Sequence, residues 1–233
     1  MKLKLPLKKI SLYCFFMLGN FLPIQLFAQQ DGAFREKTSI NYSLGIGMST
    51  TGISAEAAAG ISERIKIKLG GHFLSYSYSN YLDQTSFIYH MQMRLASVSL
   101  VAEWHPFFNA PNFYGAGGLF YNQNSIKYDV RSDGDLAIGN LLISPEESGT
   151  LNMNFYANKI APYIGIGYGK TFNTKKWGWL IEAGSMFIGV PHVDIEGKGL
   201  IAPIAEQKSI IEKNISQFKY YPVLTGLVYY KIH

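Results

Sequence analysis

The chain has 233 residues, of which 48% are hydrophobic, 15% aromatic and only 16% charged. Soluble domains carry roughly a quarter charged residues, and the 23 Gly, 16 Tyr and 15 Phe favour strands over helices. This balance excludes a disordered chain, a collagen-like repeat and a coiled coil, and it fits one large all-β domain.

The net charge of +5 is concentrated at the start. Lys2, Lys4, Lys8 and Lys9 lead into an uncharged stretch, 10–30, with apolar pieces at 12–18 and 21–27 and the small Ala28 after them. That order predicts a secretory signal peptide over residues 1–28, cleaved near Ala28. Asn20, Pro23 and Gln25 interrupt the run, which argues against a retained membrane anchor. Cleavage removes four of the 21 basic residues and none of the 16 acidic ones, leaving 17 against 16, or +1. Nucleic acid is thereby excluded as a partner. The only cysteine, Cys14, leaves with the signal, so no disulfide, Cys-bound metal or other cofactor is expected. Residues 29–36 read as a short N-terminal segment and 37–233 as the folded domain.

Period-two alternation then runs down the chain. Ile40, Tyr42, Leu44, Ile46 and Met48 share one face, opposite Ser39, Asn41, Ser43, Gly45 and Gly47. Ile53, Ala55, Ala57 and Ala59 oppose Ser54, Glu56, Ala58 and Gly60. Ile65, Ile67, Leu69 and Phe73 oppose Lys66, Lys68, Gly70 and His72. Ala96, Val98, Leu100, Ala102 and Trp104 oppose Ser97, Ser99, Val101, Glu103 and His105. The stretch 113–128 is strand-like, but Gly115, Gly117 and Gly118 leave its faces ambiguous. Ile160, Pro162, Ile164, Ile166 and Tyr168 oppose Ala161, Tyr163, Gly165, Gly167 and Gly169. Trp179, Ile181, Ala183 and Phe187 oppose Leu180, Glu182, Gly184 and Met186. The last strand sets Leu224, Val228, Tyr230 and Ile232 against Val223, Thr225, Tyr229 and Lys231. Eight strands result.

A soluble barrel would put the large apolar residues inside and the charges outside. Here one face is nearly free of charge, while the other carries Glu56, Lys66, Lys68, Glu103, Glu182 and Lys231 among glycines and serines. An outward apolar band around a small, ion-paired interior is the membrane arrangement. The predicted fold is an eight-stranded antiparallel up-and-down transmembrane β-barrel, whose six charges form a lumen network. Connections at 62–64, 106–112 and 171–176 are short, and those at 79–91, 129–155 and 190–218 are long. This matches short periplasmic turns and long external loops, after a tight first turn at 49–52. Trp104, Trp177 and Trp179 fall beside the periplasmic turns, as an interfacial aromatic belt requires. In the last external loop Ile204, Ile211, Ile215 and Phe218 repeat at helical spacing after Pro203, predicting a short helix.

The C-terminal half resembles a group of largely uncharacterised Gram-negative outer-membrane β-barrel proteins. That group falls within the eight-stranded class of the OmpA membrane domain and OmpX. The resemblance rests on Ile160-Ala161-Pro162-Tyr163-Ile164-Gly165-Ile166-Gly167-Tyr168-Gly169, on Trp177-Gly178-Trp179 and on Lys219-Tyr220-Tyr221-Pro222-Val223. Weaker echoes are Glu103-Trp104-His105-Pro106-Phe107 and Leu119-Phe120-Tyr121-Asn122, so that together they span roughly residues 95–233. It implies an outer-membrane location, membrane lipid and the barrel-assembly machinery as partners, and no catalytic residues. The assembly signal would be Gly226, Tyr230 and Ile232, with Ile232 standing where such proteins usually carry Phe.

Other constellations carry less. No histidine pair has the spacing of a local metal site, although His192, Asp194 and Glu196 would share one face of an extended segment. A rim enzyme would need a serine beside His90 or His192. Three Gly-x-Gly pairs suggest a nucleotide loop, but Thr50, Phe120 and Lys170 occupy the third glycine position. The expected function is non-enzymatic: structural, or interaction with an extracellular protein or ligand through the loops. A narrow channel for small solutes or ions is the first alternative, and a rim-located lipid- or peptide-modifying enzyme the second.

Overall fold

The computed structural model describes residues 41–82, 87–107, 109–138, 141–170 and 176–232. The signal peptide, its cleavage site and the segment 29–36 lie outside the described residues. From the N-terminus the strands are β1 (Asn41–Ser49), β2 (Gly52–Gly60), β3 (Ile65–Tyr81), β4 (Phe87–Trp104) and β5 (Phe113–Asn122). Then come β6 (Ser125–Ser132), β7 (Leu136–Ile138), β8 (Leu141–Ile143) and β9 (Thr150–Tyr156), with the four-residue helix α1 (Pro145–Ser148) before β9. The chain closes with β10 (Ile160–Lys170), β11 (Trp177–Phe187), β12 (His192–Gly197), a 3-10 helix (Gly199–Gln207), α2 (Lys208–Ile215) and β13 (Tyr220–Lys231).

Eight of these strands form a closed antiparallel ring in the order β4, β3, β2, β1, β13, β11, β10, β5 and back to β4. First and last strands meet along Leu44–Tyr230 and its neighbours, so the ring has no open edge. The alternation places each side chain. Outward-facing Ile46, Ile164 and Ile181 are 65%, 61% and 62% exposed, while inward-facing Glu56, Lys68, Glu103 and Glu182 are buried. Gly52 makes the tight β1–β2 turn. Its φ is +116, and a Cβ there would lie 2.4 Å from the Phe73 carbonyl oxygen.

Five strands continue past the ring. The register of β4 with β5 runs on unbroken into β6 (Val98 opposite Tyr121, Met91 opposite Tyr128), and that of β5 with β10 runs on into β6 with β9. β12 continues β11 after a one-residue shift around Gly189 and Pro191. The result is a tall wall on one side of the ring, ordered β3, β4, β6, β9, β12. The stretches 79–91, 129–155 and 190–218, read from sequence as loops, are therefore largely strand and helix. β7 and β8 form a separate hairpin. A capping box of Ser144 and Glu147 starts α1.

Along the wall the two faces exchange character. Within the ring, the outward residues of β3 and β4 are Leu69, Phe73, Val98 and Leu100, and the inward ones include Lys68, His72, Ser97 and Ser99. Beyond Phe73 the outward side carries Ser75, Ser77, Ser79, His90, Gln92 and Arg94. The inward side carries Tyr76, Tyr78, Tyr89, Met91 and Met93. β6, β9 and β12 follow suit, with Lys127, Asp129, Asn152, Asp194 and Glu196 outward and Tyr128, Val130, Leu151, Phe155 and Val193 inward.

Candidate functional site

Charges fill the middle of the ring. Lys68 on β3 points inward and reaches Glu182 Oε2 on β11 at 2.6 Å, Glu103 Oε1 on β4 at 3.1 Å and Glu56 Oε2 on β2 at 4.0 Å. Lys66 lies 3.9 Å from Glu103 Oε2, and His105 Nε2 lies 3.5 Å from the same oxygen. Tyrosines supply the remaining donors. Tyr114 and Tyr163 donate to the two oxygens of Glu182, at 2.9 and 2.7 Å, and Tyr229 donates to Glu56 Oε2 at 2.5 Å. Each of the three carboxylates thus has at least two cationic or hydroxyl partners, which is what burying them requires. Above the cluster His72 bridges Ser54 Oγ (2.8 Å) and Ser99 Oγ (3.0 Å) and stacks on Phe120.

Glycines make room for the rings. A Cβ on Gly167 would lie 2.1 Å from the Tyr114 ζ carbon, and one on Gly45 would lie 2.7 Å from the Tyr229 ring. Cβ atoms on Gly165 and Gly184 would lie 2.5 and 2.4 Å from the Tyr163 hydroxyl. The Gly-x-Gly spacing of β1 and β10 is therefore the inward parity of those strands, whereas Gly115 and Gly117 of β5 lie on the outward face, opposite Trp104 and Ala102.

Five of the six charges read as a lumen network meet in this cluster; Lys231, half-buried at the end of β13, takes part in none of these contacts. Tyr114, Tyr163 and Tyr229 complete the cluster and add hydroxyl donors that the charge pattern of the sequence does not mark. Tyr163 and Tyr229 were legible as lying on the charged face, whereas Tyr114 sits in the glycine-rich stretch whose faces were ambiguous. Trp104, Trp177 and Trp179 face outward at the end of the ring where β1 begins and β13 ends, 58%, 66% and 42% exposed. Trp177 packs edge-on against Tyr230 at 5.0 Å, and Trp179 packs on Tyr168. Gly226, Tyr230 and Ile232 share the outward face of β13, and the Ile232 amide donates to the Tyr42 carbonyl.

The outward face of the wall is a polar lattice. One row across it reads Ser79, His90, Asp129, Asn152, Glu196, each beside the next on neighbouring strands. Ser79 Oγ lies 2.5 Å from His90 Nδ1, and the His90 Nε2 is paired with Gln92 at 2.9 Å. A depression of about 500 Å³ beside this pair is lined also by Asp129, Arg131 and Thr150. His192, Asp194 and Glu196 do share one exposed face, but Asp194 is held by Lys208 at 3.2 Å and His192 lies 3.9 Å from Glu212. Among the described residues no group of three or more His, Cys, Asp or Glu is placed to hold a metal ion. At the tip, Tyr81 donates to Asp133 Oδ2 at 2.7 Å, and that bond to a carboxylate raises the phenol above its ordinary pKa.

The chain is similar in structure to CarO2 of Acinetobacter baumannii, with a TM-score of 0.55 and 21% identity over 82% of this chain and 97% of that one. It has the CarO fold. A second CarO structure from the same organism gives 0.53 and 23%, over 82% of this chain and 96% of CarO. No protein-family model matches the chain, and no curated protein sequence matches it.

Proposed function

We propose that the mature chain is an integral outer-membrane β-barrel of the OmpA/OmpX-like class with a plugged interior. It acts as a non-enzymatic structural or surface-interaction protein through the wall it raises outside the membrane. The exchange of polarity along β3 and β4 carries this reading. Below Phe73 the outward face is apolar and suits hydrocarbon; above it the same face turns to Ser75, Ser77, Gln92 and Arg94 and suits water and headgroups. From Ile65, paired with Trp104, to Phe73 is nine residues, within the roughly 9–11 that a tilted strand needs to cross the hydrocarbon. Closure of the ring leaves no edge in lipid. The tryptophan end then lies toward the periplasm, with Gly226, Tyr230 and Ile232 presented to the assembly machinery. The likeness to CarO supports this at the level of the fold.

A narrow channel would need a water path past Lys68, which is ligated from three strands. The deciding experiment refolds residues 29–233 into planar bilayers and records wild type beside Glu103→Ala. The expected record is insertion without discrete openings in wild type. Steady wild-type openings that change with Glu103→Ala would move the function into the lumen. The Ser79–His90 contact is the one observation that favours a rim enzyme. Serine there meets Nδ1 on an open sheet face, and the other ring nitrogen meets an amide instead of a carboxylate, so the pair lacks the third group that orients a catalytic base.

A further inference from the structure

The wall has two edges, and they are treated differently. The β12 edge is six residues long, follows Pro191, and is covered by the helical segment before β13. There Glu212 Oε1 accepts from the Val193 amide at 3.4 Å, and Lys208 clamps Asp194 at 3.2 Å. At the other edge β2 stops at the Ile53–Phe73 pair. Residues 74–81 of β3 keep β4 on one side and, among the described residues, pair with no strand on the other.

The Leu82 amide donates to the Phe87 carbonyl at 2.8 Å, so even-numbered amides of this stretch face β4 and odd-numbered ones face outward from the sheet edge. The Tyr81 amide is taken by the Asn80 side chain at 2.9 Å. Ser75, Ser77 and Ser79 each present a backbone donor and acceptor to the open side. The stretch Leu74-Ser75-Tyr76-Ser77-Tyr78-Ser79-Asn80-Tyr81 contains no charge, Pro or Gly, and its ladder with β4 has no bulge. Natural sheets use those devices to keep an edge from pairing, and this edge has none of them.

We propose that this edge of β3 docks an extended segment of another polypeptide, added as a further strand to the wall. The proposal rests on the surface-interaction reading above and names its site and partner class. The chemistry of the partner follows from the segment that already complements residues 74–81, namely 88–95 of β4. That segment sets Tyr89, Met91 and Met93 beside Asn80, Tyr78 and Tyr76 on the inward face, and His90, Gln92 and Arg94 beside Ser79, Ser77 and Ser75 on the outward face. The partner strand alternates in the same way, aromatic or aliphatic inward and polar outward, over about 27 Å for eight residues. A second copy in the same membrane does not fit. Identical edges pair antiparallel about a two-fold axis normal to the sheet, which turns the copy upside down relative to the membrane.

The test uses residues 29–233 in lipid nanodiscs, with insertion read first by protease protection, so that failure of the membrane reading registers there and failure of docking only in the binding step. The probe is a fluorescent synthetic peptide copying residues 88–95, followed by anisotropy. The expected result is saturable binding to wild type, weakened about tenfold or more by Ser77→Pro, which deletes one open-edge amide while leaving the β4 pairing intact. Ser77→Lys, which keeps the amide but charges the edge, weakens it as well. The same peptide N-methylated at residues 90, 92 and 94, whose amides would meet the open serine edge, keeps every side chain and should not bind. No binding to wild type, or binding indifferent to Ser77→Pro and to N-methylation, overturns the proposal. Clustering of wild-type proteoliposomes that Ser77→Pro abolishes, without peptide binding, also overturns it and assigns the edge to a second copy in an apposed membrane.

Discussion

Lys68 and Glu182 meet at 2.6 Å although the strands that carry them, β3 and β11, stand on opposite sides of the eight-membered ring. Their contact spans the interior, and the hydroxyls of Tyr114 and Tyr163 hold Glu182 in place for it. Removing Lys68 strands Glu182 and Glu103 without their shared cation. Lys68→Met should therefore destabilise the folded chain by about 3–5 kcal/mol, read as the denaturant midpoint in detergent micelles. The double variant Lys68→Met/Glu182→Gln should recover part of that loss, and a purely additive result would remove the ion pair from the account.

Tyr114 and Gly167 fit as ring and groove. Gly167→Ala forces the Tyr114 ring from its place and with it the hydroxyl from Glu182, for a loss of about 1–3 kcal/mol. Introducing Tyr114→Leu alongside it should relieve the overlap, so that the two changes together cost less than their sum. Thermal unfolding of the four proteins measures this directly.

Ser79 provides a check on the rim. A fluorophosphonate probe applied to the folded protein should leave Ser79 unlabelled, since its histidine has no orienting carboxylate. Stoichiometric labelling that disappears in His90→Ala would make the wall an enzyme.

Tyr81 and Asp133 give the wall a pH signature. The neutral phenol is the form that donates to the carboxylate, so its raised pKa contributes while pH is below the ordinary phenol value of about 10 and is lost as pH rises through the raised one. In an ultraviolet difference titration Tyr81 should ionise above the ordinary phenol range, and Asp133→Asn should bring it back.

Much of the ring could be read from period two. The inward parity of Glu56, Lys66, Lys68, Glu103 and Glu182 places all five in the interior, and the outward isoleucines mark the apolar band. The wall is not legible in the same pattern, for a physical reason. At Phe73 the apolar stripe of β3 passes from odd to even residues, to Leu74, Tyr76 and Tyr78. In β4 it likewise passes from Val98 and Leu100 to Met93, Met91 and Tyr89. The strand does not end there; its solvent changes, and a pattern that switches face looks like a strand end followed by a loop. β12 was hidden further by the one-residue shift at Gly189 and Pro191, which moves its inward residues to the opposite parity from those of β11.

By itself the sequence determined which residues share a face, because a strand's side chains alternate whatever it pairs with. It therefore settled which residues make the apolar face of the ring strands and which the charged one. The tertiary structure alone decided which charges touch: Lys68 with Glu182 across the ring, Lys66 with Glu103 on adjacent strands, and Lys231 with neither. It also decided that, among the described residues, β3 keeps an open edge while β12 is covered. Both outcomes depend on register and closure, which bring together residues more than a hundred positions apart, and alternation along one strand carries no information about the strand it will face.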